Sequence, residues 1–133
     1  MNRLCKVIIL TVLSVCITAP EVLSADWENF NKSWKFTKGN PENAKAVNFD
    51  DSSWENVSIP HDWAITGPFD PDGNGGTGKL PWQGDGWYRK TFDVKAEDKG
   101  KVVYIKFDGI MSSPEIYVNG QLAGRWDYGY STF

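Results

Sequence analysis

Past residue 16 the sequence has no cysteine; its two thiols are Cys5 and Cys16. The body of the chain therefore cannot be stapled by disulfides, and it has no thiolate for zinc, redox or protease chemistry. Histidine is nearly missing too, with His61 alone. There is no excess of positive charge: 14 Lys and Arg stand against 17 Asp and Glu, for a net charge of −3. The basic residues are scattered, so nucleic acid is not an expected partner. After residue 25 there is no long apolar run and no sustained helical period, which argues against a membrane-spanning helix and against a helical bundle. Aromatic and turn-forming residues are plentiful instead, with seven Trp, 13 Gly and seven Pro. Trp serves where a large flat surface buries against a sheet or stacks on a ligand. Core and loop anchoring is the plainer reading for most of them.

Residues 1–25 read as a secretory signal peptide. Arg3 and Lys6 make a positive start, residues 7–19 are uncharged and apolar, and Leu23-Ser24-Ala25 offers a small-residue cleavage site before Asp26. The apolar run is shorter than the roughly 20 residues a bilayer requires. Leu13-Ser14-Val15-Cys16 is similar to a bacterial lipobox, but Val15 is bulky where a small residue is usual, so cleavage is preferred to lipidation at Cys16. The expected location is secreted, periplasmic or on the cell surface of a Gram-negative bacterium. No transmembrane segment is expected after cleavage. Residues 26–133 then form one domain.

That domain reads as short alternating runs split by Gly, Pro, Asn and Asp, the pattern of strands and turns. Strands are expected at 33–37, 54–59, 87–94 and 101–107. A hairpin is expected where Asn119-Gly120 joins Ile116-Tyr117-Val118 to Gln121-Leu122-Ala123. Asn-Gly between alternating apolar residues is the strongest short hairpin signal. Residues 67–86 hold seven glycines and three prolines, a long loop of the kind that often carries function. The fold class is all-β, an antiparallel β-sandwich. A sandwich of about seven strands needs more chain than this, so an incomplete domain is expected.

Four segments carry a resemblance. They are Phe49-Asp50-Asp51-Ser52-Ser53-Trp54 leading into Ile59-Pro60-His61-Asp62-Trp63, then Gly86-Trp87-Tyr88-Arg89-Lys90-Thr91-Phe92, then Phe107-Asp108-Gly109-Ile110, then Glu115-Ile116-Tyr117-Val118-Asn119-Gly120. In this order and spacing they resemble the N-terminal sugar-binding domain of glycoside hydrolase family 2, in its bacterial β-galactosidase form. The resemblance implies a jelly-roll, galactose-binding-domain-like sandwich followed by an immunoglobulin-like domain and a TIM barrel. It further implies a full-length retaining exo-glycosidase acting on a β-galactoside-type glycan without a cofactor. Two barrel glutamates do that chemistry, with carboxyl groups about 5–5.5 Å apart. Neither matches a position here, so no catalytic residue is assigned.

His61 beside Asp62 suggests a catalytic dyad, yet neighbours in an extended segment point to opposite faces. Bonds from both to loop backbone are the preferred expectation. Trp63 and Trp87 are expected at the core or its rim. Arg89 is expected on a carboxylate or over an aromatic ring. Asp70-Pro71-Asp72-Gly73-Asn74-Gly75 fits the opening of a calcium loop, with Asp70, Asp72 and Asn74 as candidate ligands. Its twelfth position is Pro81 where a bidentate Glu belongs, and Asp-Gly and Asn-Gly are ordinary turn formers. In some members of the family the loop after Asp108-Gly109 reaches toward the sugar. Met111 is an apolar departure there. Ser112 and Ser113, with Asp127 and Tyr128 in the last loop, are the candidate substrate contacts. The rival to an accessory glycosidase domain is a free-standing carbohydrate-binding module without hydrolytic activity.

Overall fold

The structure, a computed structural model, describes residues 26–80 and 84–133. The expected signal peptide over 1–25 lies outside the described residues, as does Pro81. Five strands form: β1 (Trp34–Lys38), β2 (Glu55–Val57), β3 (Gly86–Arg89), β4 (Glu115–Val118) and β5 (Gln121–Arg125). Single 3-10 turns lie at Gly75–Thr77 and Ala96–Asp98, and the described residues contain no α-helix. Every pairing is antiparallel. One sheet has the order β2-β1-β3 and the other is the hairpin β4-β5. The fold is all-β, of the sandwich class. Among the described residues no helix is long and apolar enough to cross a membrane.

β1 organises the first sheet because it alone has a partner on each edge. Phe36 lies opposite Glu55 of β2 and Tyr88 of β3. Its ring meets His61 at 4.8 Å, Trp63 at 5.5 Å and Tyr88 at 4.7 Å. The first two contacts are edge-to-face, which suits the quadrupoles of aromatic rings. At Gly86, which opens β3, the backbone runs close to the rings: a Cβ there would lie 3.1 Å from the Phe36 ring and 3.2 Å from Trp63, a tight fit. Trp54, against Phe49 at 5.4 Å, extends this core, and Ala44 and Val57 are buried with it.

Arg89 ties residues 44–51 to the sheet. Its Nε donates to Asp51 at 3.0 Å, one terminal nitrogen donates to the carbonyls of Ala44 and Ala46, and its guanidinium lies 5.6 Å from the Phe49 ring. Both expected roles, carboxylate partner and aromatic cover, are met by one side chain. The charge-assisted bonds are strong ones.

The hairpin forms as expected. Asn119 and Gly120 have φ of 50° and 80°, the pair of positive values that a type I′ turn needs. Val118 faces Gln121 across it. An unforeseen register shift between Ile116 and Tyr117 leaves Ala123 without a partner between Leu122 and Gly124, a β-bulge in β5. Three expected strands differ, the first being β2, which covers only 55–57 of the expected 54–59. β3 stops at Arg89 instead of running to residue 94, and residues 101–107 join no ladder. Alternation tells which side chains share a face, but a strand also needs a neighbour to bond. Beside 101–107 only Phe133 supplies one among the described residues.

Candidate functional site

The four candidate substrate contacts fall on two loops, 109–113 and 126–131, and tertiary packing brings those loops together. A Cβ on Gly109 would lie 2.6 Å from the Gly129 carbonyl oxygen, so two backbones meet where only glycine fits. A Cβ on Gly129 would lie 3.0 Å from the Met111 sulfur and 3.1 Å from its Cα. Ser112, Ser113, Asp127 and Tyr128 are all exposed. Ser113 has φ of 52° and turns the first loop.

The second loop is braced from behind. The Trp126 amide donates to the Pro114 carbonyl and its indole N–H donates to the Ser131 hydroxyl at 2.9 Å. Phe133 stacks on Trp126 at 5.5 Å and on Phe107 at 5.2 Å. Tyr128 and Tyr130 form an edge-to-face pair at 6.0 Å, and both are exposed along with Met111. Exposed aromatic faces beside hydroxyls and a carboxylate can stack on the C–H face of a sugar and bond its hydroxyls. Sequence reasoning named Tyr128 and missed Tyr130. The spacing Trp126, Tyr128, Tyr130 was the signal, but the braced face only follows from the Gly109–Gly129 contact.

Charge around the surface is largely paired. Lys106 bridges Asp108 at 2.9 Å. Glu115 accepts from the Tyr117 hydroxyl at 2.5 Å and from Arg125 Nε at 2.6 Å. These two bonds hold its carboxyl below the usual range, while the carboxylate pushes the Tyr117 phenol up. Tyr117 stacks on Trp87 at 5.8 Å, and the Trp87 indole donates to Asn40. That contact links the hairpin to the first sheet, and it places Trp87 at the rim, as expected.

The apparent dyad is not one. Asp62 accepts from the Ala64 amide at 3.0 Å, a bond to loop backbone as expected. His61 differs from its expectation: its Nδ1 lies 2.9 Å from the Tyr88 hydroxyl, a side-chain partner. Burial, followed by the carboxylates of Asp62 and Glu55, pushes the Tyr88 phenol up. It stays protonated, a fixed partner for His61 at the edge of the Phe36 cluster. In the glycine-rich loop, Asp70 accepts from the Asp72 amide and Asn74 accepts from the Gly76 amide. Asn74 thereby caps the Gly75–Thr77 turn. These oxygens serve turn geometry.

No family model matches the chain. Curated proteins do. It is 41% identical over 124 residues to the β-galactosidase BoGH2A of Bacteroides ovatus, covering 91% of this chain and 14% of that protein. It is 37% identical over 107 residues to a β-glucuronidase of Formosa agariphila, covering 79% of this chain and 11% of that one. Among solved structures, a β-glycosidase from Bacteroides vulgatus matches with a TM-score of 0.72 and 39% identity, over 79% of this chain and 14% of that one. A β-glucuronidase from glycoside hydrolase family 2 matches with a TM-score of 0.71 and 37% identity, over 79% and 11%. The chain thus spans about a seventh or less of the relatives it matches.

Proposed function

Because this chain is an N-terminal, non-catalytic domain of the glycoside hydrolase family 2 kind, we propose that it serves a longer, exported, retaining exo-glycosidase by presenting the 109–113 and 126–131 loops to the sugar. The contact of Gly109 and Met111 with Gly129 supports this reading, since it brings together the two loops that hold Ser112, Ser113, Asp127 and Tyr128. Ser112 and Ser113 would donate to sugar hydroxyls, Asp127 would accept from them, and Tyr128 would cover a C–H face. Immunoglobulin-like and TIM-barrel domains would follow, and the barrel would supply both catalytic glutamates. The sandwich would have jelly-roll connectivity. The favoured substrate is a β-galactoside, in keeping with the first relative; the second relative's name keeps a β-glucuronide as the rival. The basic-then-apolar leader supports export to the periplasm or cell surface.

Titration with methyl β-galactoside, followed by amide chemical shifts, tests the site. Shifts should be confined to 109–113 and 126–131 and should vanish in Tyr128→Ala. Shifts centred instead on His61 and Trp63, or none at any sugar concentration, would remove the loops from substrate contact.

A further inference from the structure

The sequence holds two Asn-Gly pairs, Asn74-Gly75 and Asn119-Gly120. In both, the glycine nitrogen has no Cβ beside it to crowd an approach to the Asn Cγ. Attack there closes a five-membered ring. The glycine nitrogen must then eclipse the Asn Cβ, which in an L-residue occurs at ψ of about −120°, the value of the first central residue in a type II′ turn. The two pairs are held differently. Asn74 has φ of −64° and ψ of 120°. Its Oδ1 accepts from the Gly76 amide at 2.8 Å, and its carbonyl accepts from the amides of Thr77 and Lys79, each at 3.1 Å. Turning ψ toward ring closure breaks the cap and both carbonyl bonds. Asn119 is exposed, and among the described residues no hydrogen bond holds its side chain or the Gly120 amide. It takes a positive φ, 50°, in the type I′ turn between β4 and β5.

We infer that Asn119-Gly120 is a self-modifying site, where the Gly120 nitrogen attacks the Asn119 Cγ and expels the side-chain nitrogen as ammonia. The turn itself supplies the route. Types I′ and II′ differ by a flip of the central peptide, and they are the two turns whose twist fits a two-residue hairpin. A flip of the Asn119–Gly120 peptide therefore reaches the closing ψ while Val118 stays paired with Gln121. Type II′ favours Gly at its first central position, so the flipped turn is a minor state and the reaction is slow. Hydroxide removes the Gly120 amide proton, a C–N bond forms at Cγ, the Cγ–Nδ2 bond breaks, and Nδ2 leaves with a proton from water. Water then opens the resulting succinimide at either carbonyl. One product is an ordinary aspartyl residue with the backbone unchanged. The other runs the chain through Cβ and Cγ, one atom longer, which a type I′ turn does not accommodate. Gly120 has little room for the longer link, since a Cβ there would already lie 3.3 Å from the Lys45 carbonyl oxygen.

The test holds the full chain at mildly alkaline pH, natively and in urea, and maps its peptides by mass for amide-to-acid conversion. Isoaspartyl methyltransferase labels the lengthened product. In the native chain Asn119 should convert about fivefold or more faster than Asn74, the loss of a cap bond setting the scale. The methyl label should fall on the peptide that holds Asn119. In urea the two rates should converge. Equal rates at the two pairs in the native chain, or faster conversion at Asn74, overturn the inference. Amide exchange read by NMR follows the consequence. The isolated lengthened product should lose about tenfold or more of the protection of the β4–β5 amides, whereas Asn119→Asp should keep it. Equal protection in the lengthened product and in Asn119→Asp also overturns the inference, because the turn would then lack the tight geometry from which the route starts.

Discussion

The three-stranded sheet with its loops and the region from Phe92 to Phe133 are made of similar material and reach different ends. Phe36, Ala44, Trp54 and Val57, the buried apolar residues among those described, all belong to the first. The second has strands and aromatic stacks but places Val102, Val103, Tyr104, Tyr128 and Tyr130 in the open. Composition does not separate the two regions. Neighbours do. β1 is bonded on both edges and roofed by His61 and Trp63, whereas β4 and β5 bond only each other and 101–107 holds a single rung. Burial of an alternating run depends on how many elements surround it, because one face of a strand stays wet until something packs on it.

The same kind of truncation should have very different effects in the two regions. Phe36, 3% exposed, touches three aromatic partners; Phe36→Ala should lose about 3–5 kcal/mol and leave the sheet largely unfolded. Tyr104, 76% exposed, should tolerate Ala within about 0.5 kcal/mol. Urea denaturation measures both, and similar losses would erase the distinction.

A smaller effect is expected from the hairpin turn, where the second region's backbone is most constrained. Gly120 has φ of 80°, and a Cβ there would lie 3.3 Å from the Lys45 carbonyl oxygen. Gly120→Val should cost about 1–3 kcal/mol, since a β-branched residue resists positive φ. The readout is the melting temperature. A variant that melts like the parent would mean that the hairpin adds nothing to the stability of the first region.

Much of this was legible from residues. Asn119-Gly120 dictates its own turn, and the Arg89 partners follow from chemistry that guanidinium groups seek wherever carboxylates and rings are near. The limits of β3, the absence of a ladder along 101–107 and the bulge at Ala123 were not legible, because each depends on what lies alongside. The site shows the same division. Ser112, Ser113, Asp127 and Tyr128 could be named one by one from the sequence. The meeting of their two loops depends on Gly109 and Gly129, where one loop approaches the other closely.

The smallest effect separates the regions by pH. Bonds from Tyr117 and Arg125 hold the Glu115 carboxyl below the usual range. A depressed folded value means that the stabilisation is fully present above the unfolded pKa, about 4.3, and is lost as pH falls through the lowered folded value. The pair is exposed, so the change should be confined to the hairpin and slight. An NMR titration of the Glu115 side chain should give a midpoint below that of a free Glu, and Arg125→Gln should move it upward. A midpoint unaffected by that change would mean that the 2.6 Å bond does not persist in water.

In the proposed role the domain assists hydrolysis without performing it. In the two regions, Asp51 is committed to Arg89 and Glu115 to Tyr117 and Arg125. The most direct test is turnover of nitrophenyl β-galactoside and nitrophenyl β-glucuronide by the purified chain. Rates no higher than buffer are expected for both. Turnover above buffer that disappears when one of the chain's own carboxylates is replaced by its amide would contradict it.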